Sequence, residues 1–379
     1  MCISSFLFFS SFNLIIPELN DFITSLGGTD YKGYIISLFA LSAALSRPFS
    51  GKLADNIGRI PVMVFGAGVC FLLGFLYPVV HTVWAFLLLR FLHGFSTGFK
   101  PTGTSAYVAD VVPLARRGEA MGMLGVFGTL GIAAGPALGG FIAHQFSVNV
   151  MFYSSSALAI ISVIILLGMT ETVAVKRPFR LSMLLINPRD IFEPAVVGPS
   201  VVMLLSAYSF GVVLTIIPDF SAYLGMANKG LFFASFTAAS VLVRVFAGRL
   251  SDRLGRVRVL RYSLLVVAFG MWLVGTAQSQ THFFVAAAVL GLAAGLNSPT
   301  IFAWTIDLSH PLHRGRAMAT MYIALEIGIG SGALLSAWLY NNQAANIPLA
   351  FNSAALMAAL AFLYVIFTQK NTRPHHESP

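Results

Sequence analysis

The sequence predicts an all-α membrane protein, twelve transmembrane helices arranged as two pseudo-symmetric bundles of six. Three observations carry that prediction. The stretch Gly51-Lys52-Leu53-Ala54-Asp55-Asn56-Ile57-Gly58-Arg59 recurs 197 positions later as Gly248-Arg249-Leu250-Ser251-Asp252-Arg253-Leu254-Gly255-Arg256. The same offset pairs Arg47 with Arg244, Gly94 with Gly291, Asp110 with Asp307, Arg117 with Arg314 and Gly131 with Gly328, so the chain is two copies of one unit. Composition gives the solvent: 57% of the residues are hydrophobic, 10% are charged and the mean hydropathy is +0.82. A soluble chain would carry about a quarter charged residues. Apolar runs long enough to cross about 30 Å of hydrocarbon as a helix recur throughout.

In chain order the runs fall at about 2–22, 33–54, 61–80, 84–109, 118–144 and 149–169, then 195–222, 231–250, 259–277, 282–306, 316–340 and 348–367. The first lacks a basic flank and a small-residue cleavage site, so it reads as a retained span and not as a secretion signal. The organisation expected is a bundle over 1–169, a linker over 170–194, a second bundle over 195–367 and a polar tail over 368–379. The linker carries Arg177-Pro178, Asn187-Pro188 and Glu193-Pro194, and its middle could lie as an amphipathic helix on the membrane face. Cys2 and Cys70 both lie in apolar runs, which argues against a disulfide framework.

Charge sets the orientation. Connections after the even spans hold Lys52, Arg59, Arg116, Arg117, Arg249, Arg253, Arg256, Arg258, Arg261, Arg314 and Arg316, whereas the opposite loops hold only Lys32 and Lys229. The positive-inside rule then places both termini and the repeated motif in the cytoplasm, and a bacterial inner (plasma) membrane is the expected location. The +9 net charge is thereby topological, with no nucleic-acid partner expected.

G-x-L-x-D-x-x-G-R after the second span, echoed after the eighth, resembles the signature of the major facilitator superfamily, and the resemblance covers essentially the whole chain. Physically, Gly51 and Gly248 allow close helix approach, Gly58 and Gly255 allow a tight turn, and Asp55 with Arg59 and Asp252 with Arg256 can form charge pairs. The resemblance implies a cytoplasmic conformational latch that includes Asp110, Arg117, Asp307 and Arg314. In the fifth span, Gly131, Gly135, Pro136, Gly139 and Gly140 resemble the glycine-proline motif of the twelve-span drug:proton antiporters of that superfamily, which implies export. Small residues four apart let helix backbones meet. The eleventh span keeps Gly328 and Gly332 but has Ala333 in place of the proline.

On the fourth span, Arg90, His93, Thr97, Lys100, Thr104 and Tyr107 share roughly one 100° arc. Charged residues inside a span usually face a bundle interior or a cavity. Arg90 with Gly94 and Gly98 resembles the R-x-x-x-G pattern of the antiporter branch, which implies a part in proton transfer. Glu326 lies near the middle of the eleventh span, where its first-half copy is Thr129; an acid so deep takes up a proton readily unless a cation holds its charge, which makes it the best single proton carrier. Many antiporters of this kind carry an acid four residues before Pro17; here that position is Asn13. Glu18, Asp21 and Asp219, near the outer surface, are expected to be solvated or capping. Asn13, His93, Thr97, Lys100, Tyr107, Tyr208, Asn297, Trp304 and Tyr322 are the expected substrate contacts, walling a polar chamber between the halves.

The function expected is proton-coupled efflux of small organic molecules, anionic or amphipathic, by alternating access in a monomer. The alternative is a sugar or organic-anion permease, or symporter, of the same superfamily. No metal-spaced His/Glu pair, nucleophile with a base or phosphate-binding loop is present, so the reading is of a non-enzyme without metal or cofactor, driven by the proton gradient.

Overall fold

A computed structural model describes residues 1–113, 116–184, 192–309 and 314–368. The expected tail beyond 368 and linker positions 185–191 lie outside the described residues, as do the side chains of Arg117 and Arg314. Among the described residues the chain forms α1 (Cys2–Leu14), α2 (Leu19–Ser25), α3 (Lys32–Asn56), α4 (Arg59–Leu76), α5 (Val83–Val111), α6 (Arg117–Gln145), α7 (Val148–Leu167), α8 (Val197–Tyr223), α9 (Leu231–Leu254), α10 (Arg256–Gly275), α11 (Gln280–Leu308), α12 (Arg314–Tyr340) and α13 (Ile347–Thr368). Pro17 sits in a 3-10 turn over Ile16–Glu18 that breaks the first span into α1 and α2. The proline lacks the N–H that a continuous helix needs there.

Thirteen helices therefore make twelve crossings. Among the described residues nine spans are both long and apolar enough to cross a membrane, and α9, bent by 52° between Arg244 and Phe246, makes a tenth. α3 and α5 fall short of that test. They carry Arg47, Lys52 and Asp55, and Arg90, Lys100 and Asp110, respectively, and these charges lower their hydropathy.

Packing repeats with the sequence. In the first half α1 packs on α6 and α7, α3 on α5, and α4 on α5 and α7; in the second, α8 packs on α12 and α13, α9 on α11, and α10 on α11 and α13. The glycines explain the match. A Cβ on Gly94 would lie 2.1 Å from the Phe39 carbonyl oxygen, and one on Gly291 would lie 2.0 Å from that of Phe236, the residue 197 positions beyond Phe39. Caps repeat too, with Thr82 accepting from the Ala85 N–H and its copy Ser279 from the His282 N–H. Across the halves, α3 meets α12 and α6 meets α9. These two seams are images of each other, as a twofold axis along the bundle requires.

Candidate transport pathway between the halves

The α3/α12 seam carries the one internal ion pair that joins the two halves at mid-span among the described residues. Arg47 Nη2 donates to Glu326 Oε1 at 3.0 Å, and the guanidinium carbon lies 4.4 Å from the centre of the Tyr322 ring. Arg47 is 8% exposed and Glu326 6%. Neither charge could be held at that depth without the other, because each carries a desolvation cost of several kcal/mol. Towards the far face, opposite the repeated motif, the seam stays tight: a Cβ on Gly33 would lie 2.7 Å from Ala337 Cβ. At the motif end no described heavy atom lies within 4 Å of a Cβ placed on Gly51 of α3, nor of one on Gly122 of α6 or Gly248 of α9, so these positions border open space.

The far face is closed by charge. Lys32 Nζ contacts Asp219 Oδ2 at 2.6 Å, and Asn20 Nδ2 donates to Asp219 Oδ1 and to the Thr215 carbonyl, each at 2.8 Å. Lys229 reaches Glu18 Oε2 at 3.2 Å and also contacts Asp21. Each contact joins the first half to the second. The expectation that Asp219 is solvated or capping is corrected, since its side chain is 8% exposed and spent on the bridge; Glu18 is likewise paired, while Asp21 keeps an exposed side chain. The two lysines that the charge rule leaves on this side are both used to tie the halves together. Beside them, Asn228 donates to the Ala137 carbonyl at 3.1 Å, and a Cβ on Gly230 would lie 1.9 Å from the Pro136 carbonyl oxygen. The glycine-proline stretch of α6 is thus the docking point for the turn between α8 and α9. Asp219→Ala would leave Lys32 partly buried without its anion, costing the closed form on the order of 3 kcal/mol. Hydrogen exchange over Thr215–Tyr223 should quicken in that protein.

At the motif face each copy closes on itself. Arg59 Nε donates to Asp110 Oδ2 at 3.0 Å and its Nη1 contacts Asp55; Arg256 Nε donates to Asp307 Oδ2 at 2.9 Å and its Nη1 lies 2.5 Å from Asp252 Oδ1. Gly58 at φ +132° and Gly255 at φ +90° make the turns that bring the arginines back, a conformation that disfavours any side chain. Glu171 then caps α4, accepting from the N–H groups of Arg59 at 3.0 Å and Ile60 at 3.1 Å. Burial works to raise the Glu171 carboxyl, but the backbone donors of Arg59, Val173, Ile60 and Thr172 outweigh it and hold the group below its ordinary range.

Over residues 1–195 and 200–379 the sequence matches the Major Facilitator Superfamily. The chain belongs to that superfamily. Its architecture agrees with transporter structures: it superimposes on the human organic anion transporter TETRAN with a TM-score of 0.75, at 18% identity, over 96% of this chain and 97% of that one. On the nucleoside transporter NupG the TM-score is 0.76, at 15% identity, over 97% and 98% of the two chains. In sequence it is 27% identical over 380 residues to the multidrug resistance protein MdtG of Serratia proteamaculans, covering 95% of this chain and 89% of the relative. It is 28% identical over 352 residues to the multi-drug resistance efflux pump PmrA of Streptococcus pneumoniae, covering 86% and 84%.

Within this transporter the polar residues singled out by sequence divide into separate groups. Arg90, 2% exposed, donates from Nε to the Ile35 carbonyl at 3.0 Å and from Nη1 to the Tyr77 hydroxyl at 3.4 Å, under the Phe39 ring. His93 joins the same hydroxyl at 3.1 Å and Cys70 Sγ at 3.2 Å. Lys100 donates to Ser5 Oγ at 2.9 Å and lies over Phe8. All three are packed inside the first bundle by α1, α3 and α4. Asn13 and Thr97 bond their own helices, through the Phe9 and Gly94 carbonyls, and Tyr107 is buried beside Met63 and Phe8. In the second bundle Asn297 accepts from Ser263 at 3.3 Å, Tyr208 meets Ser353 at 3.1 Å, and Trp304 packs with Met203 and Met321. The expected single chamber is therefore not formed by these side chains in this conformation. Of the expected substrate contacts Tyr322 reaches the seam, as does Glu326, the expected proton carrier, and Arg47 holds both. Sequence reasoning noted Arg47 as a repeat match and missed its charge partner; a cation in the second span and an acid in the eleventh were the available signal.

Proposed function

We propose that this transporter exports small organic molecules from the cytoplasm in exchange for protons. The motif face is then the cytoplasmic one, both termini lie on that side, and the membrane is the bacterial plasma membrane. The observation that carries the reading is the buried Arg47–Glu326 pair at the seam that must open and close. Protonation of Glu326 removes one charge of the pair, releases Arg47 and weakens the attachment of α3 to α12. A proton thus alters the stability of one conformation relative to the other, which is what coupling requires. The far face closed by charge, with open space beside Gly51, Gly122 and Gly248 at the motif face, fits the form that loads substrate from inside. The bacterial relatives bearing efflux and resistance names support this direction, and the glycine-proline stretch at the far-face contact agrees with it. Arg90 donates to the Ile35 carbonyl and the Tyr77 hydroxyl and organises the first bundle around Tyr77 and His93, which leaves Glu326 as the proton carrier. The protein acts as a monomer, because the pathway lies between halves of one chain.

Purified protein in proteoliposomes with an imposed pH gradient tests the proposal. Substrate should move against the proton flux and stop when the gradient is collapsed. Substrate and protons moving together would assign a symporter.

A further inference from the structure

The second seam lacks what the first one holds. Arg244 is the repeat copy of Arg47, Gly125 the copy of Tyr322 and Thr129 the copy of Glu326. Both arginines bury an Nε–H with no acceptor. Arg47 then places its terminal nitrogen on Glu326 and its face on Tyr322, whereas Arg244 has no hydrogen bond or ion pair among the described residues. It does point at the corresponding place: Nη1 lies 3.8 Å from where a Cβ on Gly125 would be. Thr129 turns its hydroxyl back to the Gly125 carbonyl at 2.8 Å and supplies no charge. So α6 presents to this cation a missing ring and a missing carboxylate, one helical turn apart. Arg244 is only partly exposed and its Nε–H is buried without an acceptor, so an anion at this place would find an unpaired guanidinium whose planar fork fits a carboxylate.

We propose that Arg244, Gly125 and Thr129 form a substrate subsite for aromatic carboxylates. The ligand's carboxylate takes the place that Glu326 occupies in the other seam, and its ring takes the place of Tyr322. On the motif side of the subsite Gly122 and Gly248 have no described heavy atom within 4 Å of an added Cβ, so a ligand enters from that side. This assignment rests on the exporter reading for its direction, but not for its chemistry. Bound at this seam, the ligand would bridge α6 and α9 as Glu326 bridges α3 and α12, tying substrate to one seam and proton to the other.

The test uses the full chain in detergent, without a gradient, and 3-phenylpropionate against its uncharged amide by titration calorimetry. Wild type should bind the acid about tenfold or more tightly than the amide, a difference of about 1.4 kcal/mol. Arg244→Gln should abolish that preference and Arg244→Lys should keep part of it. Thr129→Glu should place an anion on Arg244, raise Tm in the wild-type background but not with Arg244→Gln, and remove acid binding while sparing the amide. Should Arg244→Gln fail to fold, the Thr129→Glu protein alone decides. Equal binding of acid and amide to wild type, or acid binding unchanged by Thr129→Glu, overturns the subsite. If a pH gradient drives ethidium transport while the acid preference is absent, only the subsite falls. If the acid preference is present while no gradient-driven transport occurs, the exporter reading falls and the subsite stands.

Discussion

Glu326→Gln protein should lose gradient-driven transport and keep substrate binding. The substitution is nearly isosteric, and the amide oxygen can still accept from Arg47 Nη2, so the α3/α12 seam keeps its shape. What it removes is the exchange between a charged and an uncharged side chain at the contact that joins the halves. Flux under an imposed pH gradient should fall to the level of empty liposomes, while facilitated exchange of substrate without a gradient persists. Arg47→Ala differs in kind. It leaves Glu326, 6% exposed, without its cation, and removing one member of a buried pair costs about 3–5 kcal/mol when the other remains charged. Purified Arg47→Ala protein should therefore be less stable than Glu326→Gln protein, and the gap should narrow at acidic pH, where Glu326 can be neutralised. Gradient-driven flux in Glu326→Gln protein equal to that of wild type would remove this acid from the coupling step.

The second large effect concerns folding. Gly139→Ala should prevent a stable first bundle, since the added Cβ would lie 1.8 Å from the Leu14 carbonyl oxygen and 2.7 Å from its carbon. Those atoms belong to α1 backbone, directly before the Pro17 break, and cannot turn aside as a side-chain end could. Gly131 and Gly135 meet α1 in the same way, against the Phe6 and Ser10 carbonyls at 2.5 and 2.7 Å. Relief requires α1 and α6 to separate, with loss of packing along the whole contact; overpacking costs roughly 1–3 kcal/mol even where atoms can shift, and more where they cannot. Gly68→Ala is the control, because no described atom lies within 4 Å of a Cβ there. Monodisperse protein on size-exclusion chromatography should be recovered for Gly68→Ala and not for Gly139→Ala.

The fold was legible because its determinants are repeated or local. The 197-residue offset names the glycines that set helix contacts, and Gly94 and Gly291 meet carbonyls separated by that same offset. The break at Pro17 and the caps at Thr82 and Ser279 were not read from the sequence, although a proline without its N–H and N-cap hydroxyls are local signals. The seam was not, for a physical reason: periodicity tells which side chains share a helix face, but not which other helix that face meets. Arg90, His93 and Lys100 do share a face, and it points into their own bundle. Arg47 and Glu326 lie 279 residues apart and meet only because the halves dock. Lys32 and Lys229 were read as exceptions to a charge rule, yet their scarcity was the clue to their use, since a loop that keeps one lysine has a place for it. Arg244 shows the reverse case: the repeat predicts a partner for it, and the departures at Gly125 and Thr129 carry the meaning.

The central claim is that two rigid halves exchange a closed far face for a closed motif face. Pulsed electron–electron distance measurement tests it most directly, with both native cysteines replaced by serine and spin labels placed at Thr82 and Gln278 on one face, and at Arg116 and Arg253 on the other. Lowering the pH on the far-face side, or adding Asp219→Ala, should lengthen the Thr82–Gln278 distance and shorten the Arg116–Arg253 distance in the same sample. Distances that change together in one direction, or not at all, while gradient-driven transport persists, would contradict it.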